Sequence, residues 1–181
     1  PGQHRLHTIS LQADLLATAD SQQLIHVRSL RDGKTLNTFP GGPWLRRLGL
    51  SPDSRQLASS GDDGLVRVWD IASGKPVWSG PVGDGSATQL TFSPDGKVLF
   101  CANNDTDLRQ WSATNGELLR RWDQFPLTAF AAQFSRDGRR LVIGGADRKL
   151  TVLEAATGKT VKTIETGSEL VAGIALSPTG D

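Results

Sequence analysis

The sequence predicts an all-β chain built from four-stranded antiparallel blades, and three observations carry that expectation. A turn of the form Ser-Pro-Asp recurs, with Ser51, Ser93, Ser135 and Ser177 each 42 residues from the next. The same step relates Asp63, Asp105 and Asp147, then Trp69, Trp111 and Leu153, then Gly74, Gly116 and Gly158. Within each interval lie four short runs of β-forming residues bounded by turn signals, with no helix of useful length. A period of about 40–45 residues with four strands per unit is the signature of β-propeller blades.

The clearest unit runs from Leu50 to Lys75. Ser51-Pro52-Asp53 starts a tight turn, because Pro presets φ and Asp bonds its own backbone. Gln56 to Ser60 is then a strand, Asp62-Asp63-Gly64 a hairpin turn, Leu65 to Ile71 a second strand, and Ser73-Gly74-Lys75 a further turn. Trp44 to Leu50 is the inner strand of this blade and Pro76 to Pro81 its outer edge, where Pro costs no ladder donor.

The other blades follow the same order. Blade one is a worn repeat: Leu6 to Ser10 is its inner strand, followed by Leu15 to Asp20, Leu24 to Leu30 and Thr35 to Phe39, with Arg28 in the place of Trp69. Blade three reads Thr88 to Ser93, Val98 to Ala102, Leu108 to Ser112 and Leu118 to Trp122. Blade four reads Ala129 to Ser135, Leu141 to Gly145, Leu150 to Ala155 and Thr160 to Ile164, and Leu170 to Ser177 begins a fifth. The blade limits are thus approximately 5–42, 43–85, 86–127 and 128–168, with the fifth starting over 169–181. An open arc would leave apolar faces at both ends, so further blades or a second copy are expected to close the ring. With no Met in it, the chain is expected to be a segment of a longer protein.

Ser93-Pro-Asp-Gly-Lys97, Leu57-Ala-Ser-Ser-Gly-Asp-Asp-Gly64 and Val66-Arg-Val-Trp-Asp70 resemble the WD40 repeat family over nearly the whole chain. That resemblance implies a propeller that binds proteins or peptides without catalysis. Arg140 to Val161 also resembles bacterial YVTN-type repeats. Asp70 to Trp78 resembles the Trp-docking motif of quinoprotein dehydrogenases, which would imply a quinone enzyme. In WD40 proteins the Asp of the second-to-third strand turn joins a network with a His, but the matching His is missing here. Asp63, Asp105 and Asp147 are therefore expected to accept backbone donors in their own turns. Their recurrence once per blade, with Trp69, Trp111, Gly74, Gly116 and Gly158, marks structure rather than chemistry.

Composition narrows the function. Net charge is +1 with 22% charged residues, so no strong field favours nucleic acid, and no apolar run is long enough for a membrane span. No signal-peptide pattern opens the chain, and a cytoplasmic setting is expected. The single Cys101, inside an apolar strand, reads as a small buried hydrophobe. Histidines occur only at 4, 7 and 26, which leaves no Ser-His-Asp arrangement, and His4 and His7 lack companions for a metal site. The expectation is no enzyme, no cofactor and no metal.

Strand order puts the turns on two faces. One gathers Lys34, Lys75, Lys97, Arg139, Arg140 and Lys159, diluted by Asp53, Asp95 and Asp137. The other gathers Asp62, Asp63, Asp84, Asp105, Asp107, Asp123 and Asp147, with Arg148 and Lys149 against the trend. In WD40 proteins the second face commonly docks peptides. Its candidate contacts here are Trp44, Arg46, Asp62, Asn103, Asn104, Phe125 and Arg148, because Trp and Arg are enriched at interface hot spots. The expected function is a protein- or peptide-binding scaffold within a larger protein. Two alternatives are a quinoprotein-type redox propeller and a regulatory propeller attached to a catalytic domain elsewhere.

Overall fold

The computed structural model describes residues 9–83, 86–104, 107–122, 128–167 and 170–177. These residues form four antiparallel four-stranded sheets, each in simple chain order. Blade one holds β1 (Ile9–Gln12), β2 (Leu15–Ala19), β3 (Leu24–Ser29) and β4 (Thr35–Pro40). Blade two holds β5 (Leu45–Leu50), β6 (Gln56–Gly61), β7 (Leu65–Asp70) and β8 (Pro76–Pro81). Blade three holds β9 (Ala87–Phe92), β10 (Val98–Asn103), β11 (Leu108–Ser112) and β12 (Leu118–Trp122). Blade four holds β13 (Ala129–Phe134), β14 (Arg140–Gly145), β15 (Lys149–Glu154) and β16 (Thr160–Glu165). The inner strands β1, β5, β9 and β13 lie side by side in that order.

The apolar core sits between blades rather than within them. Ile25, Val27 and Phe39 of blade one pack on Leu50, Leu57 and Trp69 of blade two. Ala58, Val66 and Val68 of blade two pack on Leu90, Leu99 and Trp111 of blade three. Phe100 and Leu108 of blade three pack on Phe134, Leu141 and Ile143 of blade four. Both faces of a middle strand are therefore covered, which is why β10 and β14 are apolar without alternation. In β16 every residue is exposed. Each outer strand carries a register shift against its neighbour, a bulge that twists the edge away from pairing with other chains.

The recurring serine turn has one chemistry. Ser51 Oγ donates to Asp53 Oδ1 at 2.6 Å and accepts the Gln56 N–H at 2.8 Å. Ser93 and Ser135 repeat this with Asp95 and Asp137, at 2.6 Å each, and with the N–H groups of Val98 and Arg140, at 2.9 Å each. The hydroxyl donor holds the Asp53, Asp95 and Asp137 carboxyls below the usual aspartate value, helped by the backbone N–H two residues on.

Turn glycines meet the preceding blade. Gly74, Gly116 and Gly158 have φ of 72–73°. A Cβ on Gly116 would stand 2.7 Å from the Trp78 ring, and one on Gly158 2.6 Å from Trp122. The Trp78 indole N–H donates to Ala113 O at 2.9 Å, and that of Trp122 to Gly158 O at 3.3 Å. Trp69 and Trp111 are buried in the seams, tilted against Phe39 at 5.8 Å and Trp78 at 6.0 Å.

Two elements differ from expectation. The inner strand of blade one ends at Gln12 rather than Ser10, because Gln12 pairs with Leu15 across a two-residue Ala13-Asp14 turn. Residues 170–177 are not in a strand. They rest on blade four, with Val171 N–H donating to Gly145 O at 2.9 Å and Leu176 N–H to Gln133 Oε1 at 3.2 Å. Among the described residues no second strand offers them a ladder, and a strand needs that partner.

Candidate functional site

The hairpin turns between second and third strands share one face with the loops that join the blades. The loop carbonyl of Trp44 accepts the Asp62 N–H at 3.0 Å, Val82 N–H donates to Gly64 O at 2.8 Å, and Asn104 N–H donates to Ser86 O at 3.0 Å. Thr166 donates both its N–H, at 2.9 Å, and its hydroxyl, at 2.8 Å, to Arg148 O.

The expected contact residues divide into three groups. Trp44, Arg46, Asn104 and Arg148 are exposed. Trp44 is 52% exposed and sits at φ 54°, a left-handed conformation rare for a bulky residue. Beside it Arg46 grips Asp62 bidentately, with Nε–Oδ1 and Nη2–Oδ2 both 2.7 Å, and the carboxylate holds the guanidinium above its ordinary value. Asn103 drops out of the exposed set. It is fully buried, donates Nδ2 to Val82 O at 3.0 Å, and accepts the Asp107 N–H on Oδ1 at 2.9 Å. Asp105 and Phe125 lie outside the described residues, as do Asp84 and Asp123.

The face is also less acidic than its aspartates suggest. Asp63 Oδ1 accepts the Leu65 N–H at 3.2 Å and Asp147 Oδ1 accepts the Lys149 N–H at 3.2 Å, each inside its own turn. Asp63 Oδ2 also takes Arg67 Nη2 at 2.5 Å. Asp107 receives Arg109 Nη2 at 2.6 Å and Arg121 Nη2 at 3.2 Å, while Arg109 Nη1 reaches Pro81 O. Asp107 and Arg109 are buried, so this cluster ties the outer strand of blade two to blade three.

Sequence reading missed this cation column. His26, Arg67 and Arg109 occupy matching places in β3, β7 and β11, separated by 41 and 42 residues. Each faces a turn aspartate, with His26 Nε2 2.8 Å from Asp20 Oδ2. The blade period, applied to the polar positions of the third strand, would have found it. Blade four has Thr151 there instead.

Among the described residues no group of three or more His, Cys, Asp or Glu could hold a metal ion. Cys101 is buried, and burial pushes its thiol up to about 12. Among the described residues no helix is long and apolar enough to cross a membrane.

The chain resembles known proteins at two scales. A 46-residue stretch is 44% identical to Ribosome biogenesis protein erb1 of Botryotinia fuckeliana (strain B05.10), covering 25% of this chain and 6% of that protein. A 64-residue stretch is 38% identical to Nuclear distribution protein PAC1 of Arthroderma benhamiae, covering 35% of this chain and 14% of that protein. Another 46-residue match, 41% identical, is to Ribosome biogenesis protein ERB1 of Coccidioides immitis, over 25% of this chain and 6% of that protein. These matches span no more than 14% of the relatives' own length. The relatives are WD40 proteins, which supports a WD40-like propeller. On the larger scale, residues 21–169 match the model of the family described as Outer membrane protein assembly factor BamB, and the chain belongs to that family.

Proposed function

We propose, on the premise of that membership and of the WD40-like stretches, that the chain is a non-catalytic platform binding a protein or peptide segment on its joining-loop face. The observation that carries this reading is Trp44, a half-exposed indole in left-handed backbone beside the bidentate Arg46–Asp62 pair. Interface hot spots favour such aromatic and Arg anchors. The neighbouring carboxylates Asp63 and Asp107 are engaged in the seams, so Trp44, Arg46, Asn104 and Arg148 are the groups this face offers. The printed names of the family and the relatives support the reading, since they describe an assembly factor, a biogenesis protein and a distribution protein.

The test is capture of partners from the native source by wild type and by Trp44→Ala and Arg46→Ala. Both variants are expected to lose captured protein while unfolding within about 1 kcal/mol of wild type, as exposed groups do. Full capture by both would sink the assignment.

A second reading, a quinone-type redox propeller, keeps the support of the resemblance of Asp70 to Trp78 to a Trp-docking motif; the Trp78 indole lies against Gly116 and donates to Ala113 O at 2.9 Å. A quinone in the ring centre would need metal or carboxylate ligands that do not repeat between blades. Among the described residues the aspartates of the turns do repeat, and Asp63 and Asp107 pair with arginines in the seams. They do not fit that group.

A further inference from the structure

On the opposite face, two successive seams satisfy the same backbone carbonyl differently. Between blades two and three, Ala113 O accepts two donors from blade two, the Trp78 indole N–H at 2.9 Å and the Gln56 amide at 3.2 Å. The places 42 residues on are Ala155, Arg120 and Val98. Val98 has no polar group to give, and Arg120 reaches the next carbonyl, Ala156 O, at 2.8 Å. Ala155 O is thus left without a hydrogen bond among the described residues. At this seam, between blades three and four, a cavity of about 420 Å³ opens, with Ala155 in its lining and Pro94, Val98 and Phe134 as its apolar wall.

Two further observations give this cavity its chemistry. Gln110 lines it and is only 4% exposed. Its amide has no hydrogen-bond partner among the described residues, and neither amide atom is sealed off, so the amide opens into the cavity. The matching place in blade two holds Val68, fully buried. A buried amide without a partner is destabilising, so its presence calls for a group that completes it. The lining is also acidic. Asp95 and Asp137 each spend Oδ1 on their own turn, taking a serine hydroxyl at 2.6 Å and a backbone N–H at 3.1 and 3.0 Å. Asp95 Oδ2 has no partner among the described residues, and Asp137 Oδ2 meets only Arg139, at 3.9 Å. Arg136 also lines the cavity and is not free. Open acceptors therefore outnumber open donors: Ala155 O, Gln110 Oε1 and two carboxylate oxygens stand against the Gln110 N–H groups.

We infer that the cavity between blades three and four takes an arginine side chain of a peptide partner. A surplus of acceptors with negative charge selects a cation that donates several hydrogen bonds. A guanidinium carries five N–H donors in a rigid plane, whereas an ammonium is a compact point charge. The guanidinium donates to Gln110 Oε1 and Ala155 O, and Asp95 and Asp137 supply the countercharge. The methylene stem of the arginine lies on Val98 and Phe134, as such stems do on apolar surface. The volume is within the range of small-ligand sites. The site lies away from the Trp44 face and does not depend on it.

The test is fluorescence anisotropy with a fluorescein-labelled Gly-Ala-Arg-Ala-Gly peptide, against controls carrying lysine or the uncharged isostere citrulline in place of the arginine. The expected result is saturable binding to wild type, about threefold weaker with lysine and about tenfold weaker with citrulline. Gln110→Leu removes the open amide without changing charge, so it should weaken binding about tenfold while raising Tm. Val98→Gln places the donor of Gln56 one blade on, where it can occupy Ala155 O, and should also weaken binding about tenfold. Its fold is secured by precedent, because the Gln56 N–H bonds Ser51 Oγ as the Val98 N–H bonds Ser93 Oγ. Should Gln110→Leu not fold, Val98→Gln decides: weakened binding supports the site and unchanged binding overturns it. Both variants keep the net charge, so diffuse attraction of a cationic peptide would leave their curves equal to wild type and overturn the inference. Equal curves for the arginine and citrulline peptides, or no saturation up to about 1 mM peptide, would overturn it as well.

Discussion

The loops that enter blade two and blade three occupy the same place in the propeller and behave in opposite ways. Both cross an Arg–Asp pair from the blade they enter, Arg67 with Asp63 and Arg109 with Asp107. In blade three, Asn103 at the end of β10 reaches up to Val82 O and anchors the loop, and the cluster is buried. In blade two the matching residue, 42 earlier, is Gly61. With no side chain there, the loop settles directly on the strand: a Cβ on Gly61 would stand 2.8 Å from Pro43 O and 2.9 Å from Trp44 O. Trp44 is pressed into left-handed backbone and its indole stays half-exposed. A single position thus separates a loop sealed into a seam from one that leaves an indole half-exposed. An asparagine in sequence looks like a contact residue and is buried; the glycine in the same place one blade earlier lets the loop lie directly on the strand.

The largest effect is expected where the seam is sealed. Arg109→Ala leaves Asp107 buried with only Arg121 to face it, and breaking a buried pair typically costs about 3–5 kcal/mol. Urea unfolding measures this. A loss under about 1 kcal/mol would show that the cluster is wet and that the two loops do not differ in the way described.

Next comes the contrast between turn glycines. Gly116→Ala meets both a φ of 73° and the Trp78 ring, whereas Gly33→Ala meets a φ of 71° with nothing within 4 Å. Backbone strain alone costs about 1 kcal/mol, and the displaced indole should bring Gly116→Ala to about 3 kcal/mol. Equal shifts in Tm for the two variants would mean that Trp78 is not docked.

Gly61→Ala sharpens the loop comparison directly. Its methyl group meets backbone oxygens rather than flexible side chains, so the loop must move, at about 2 kcal/mol. Partner capture through Trp44 should fall with it. Unchanged stability with unchanged capture would show that the loop conformation is not set by this residue.

The smallest effect carries a pH signature. Ser93→Ala removes the hydroxyl that donates to Asp95 and accepts the Val98 N–H, at about 1–2 kcal/mol near neutrality. The Asp95 carboxyl is held below its ordinary 3.8 in the fold. Its share of stability is therefore present above that value and fades as pH falls through the lower folded value. The gap between wild type and Ser93→Ala should narrow in urea titrations below pH 3.8, and a constant gap would assign the whole effect to Val98.

Much of the architecture was legible because it is local and repeated. A turn such as Ser93-Pro94-Asp95 satisfies itself within six residues, so its chemistry can be read from spacing alone. The third-strand cations were not legible in that way. Val66-Arg67-Val68 alternates as a half-exposed strand does, which assigns the arginine to solvent. In a propeller both faces of a strand are covered, and Arg67 turns back to Asp63 beneath Gly42. Among the described residues of the acidic face, Asp62, Asp63 and Asp107 are each paired with an arginine.

The sequence by itself determined the all-β class, the order of strands, the blade period and the positive-φ turns. Those depend on propensity and on hydrogen bonds between near neighbours. Only the tertiary structure decided that Asn103 is buried and Trp44 exposed, that Trp78 covers the turn glycine of one seam and Asn37 that of another, and that Asp107 serves as a structural counter-ion. Each of those outcomes depends on a neighbouring blade or connecting loop folding onto the residue, and spacing within a single blade carries no record of it.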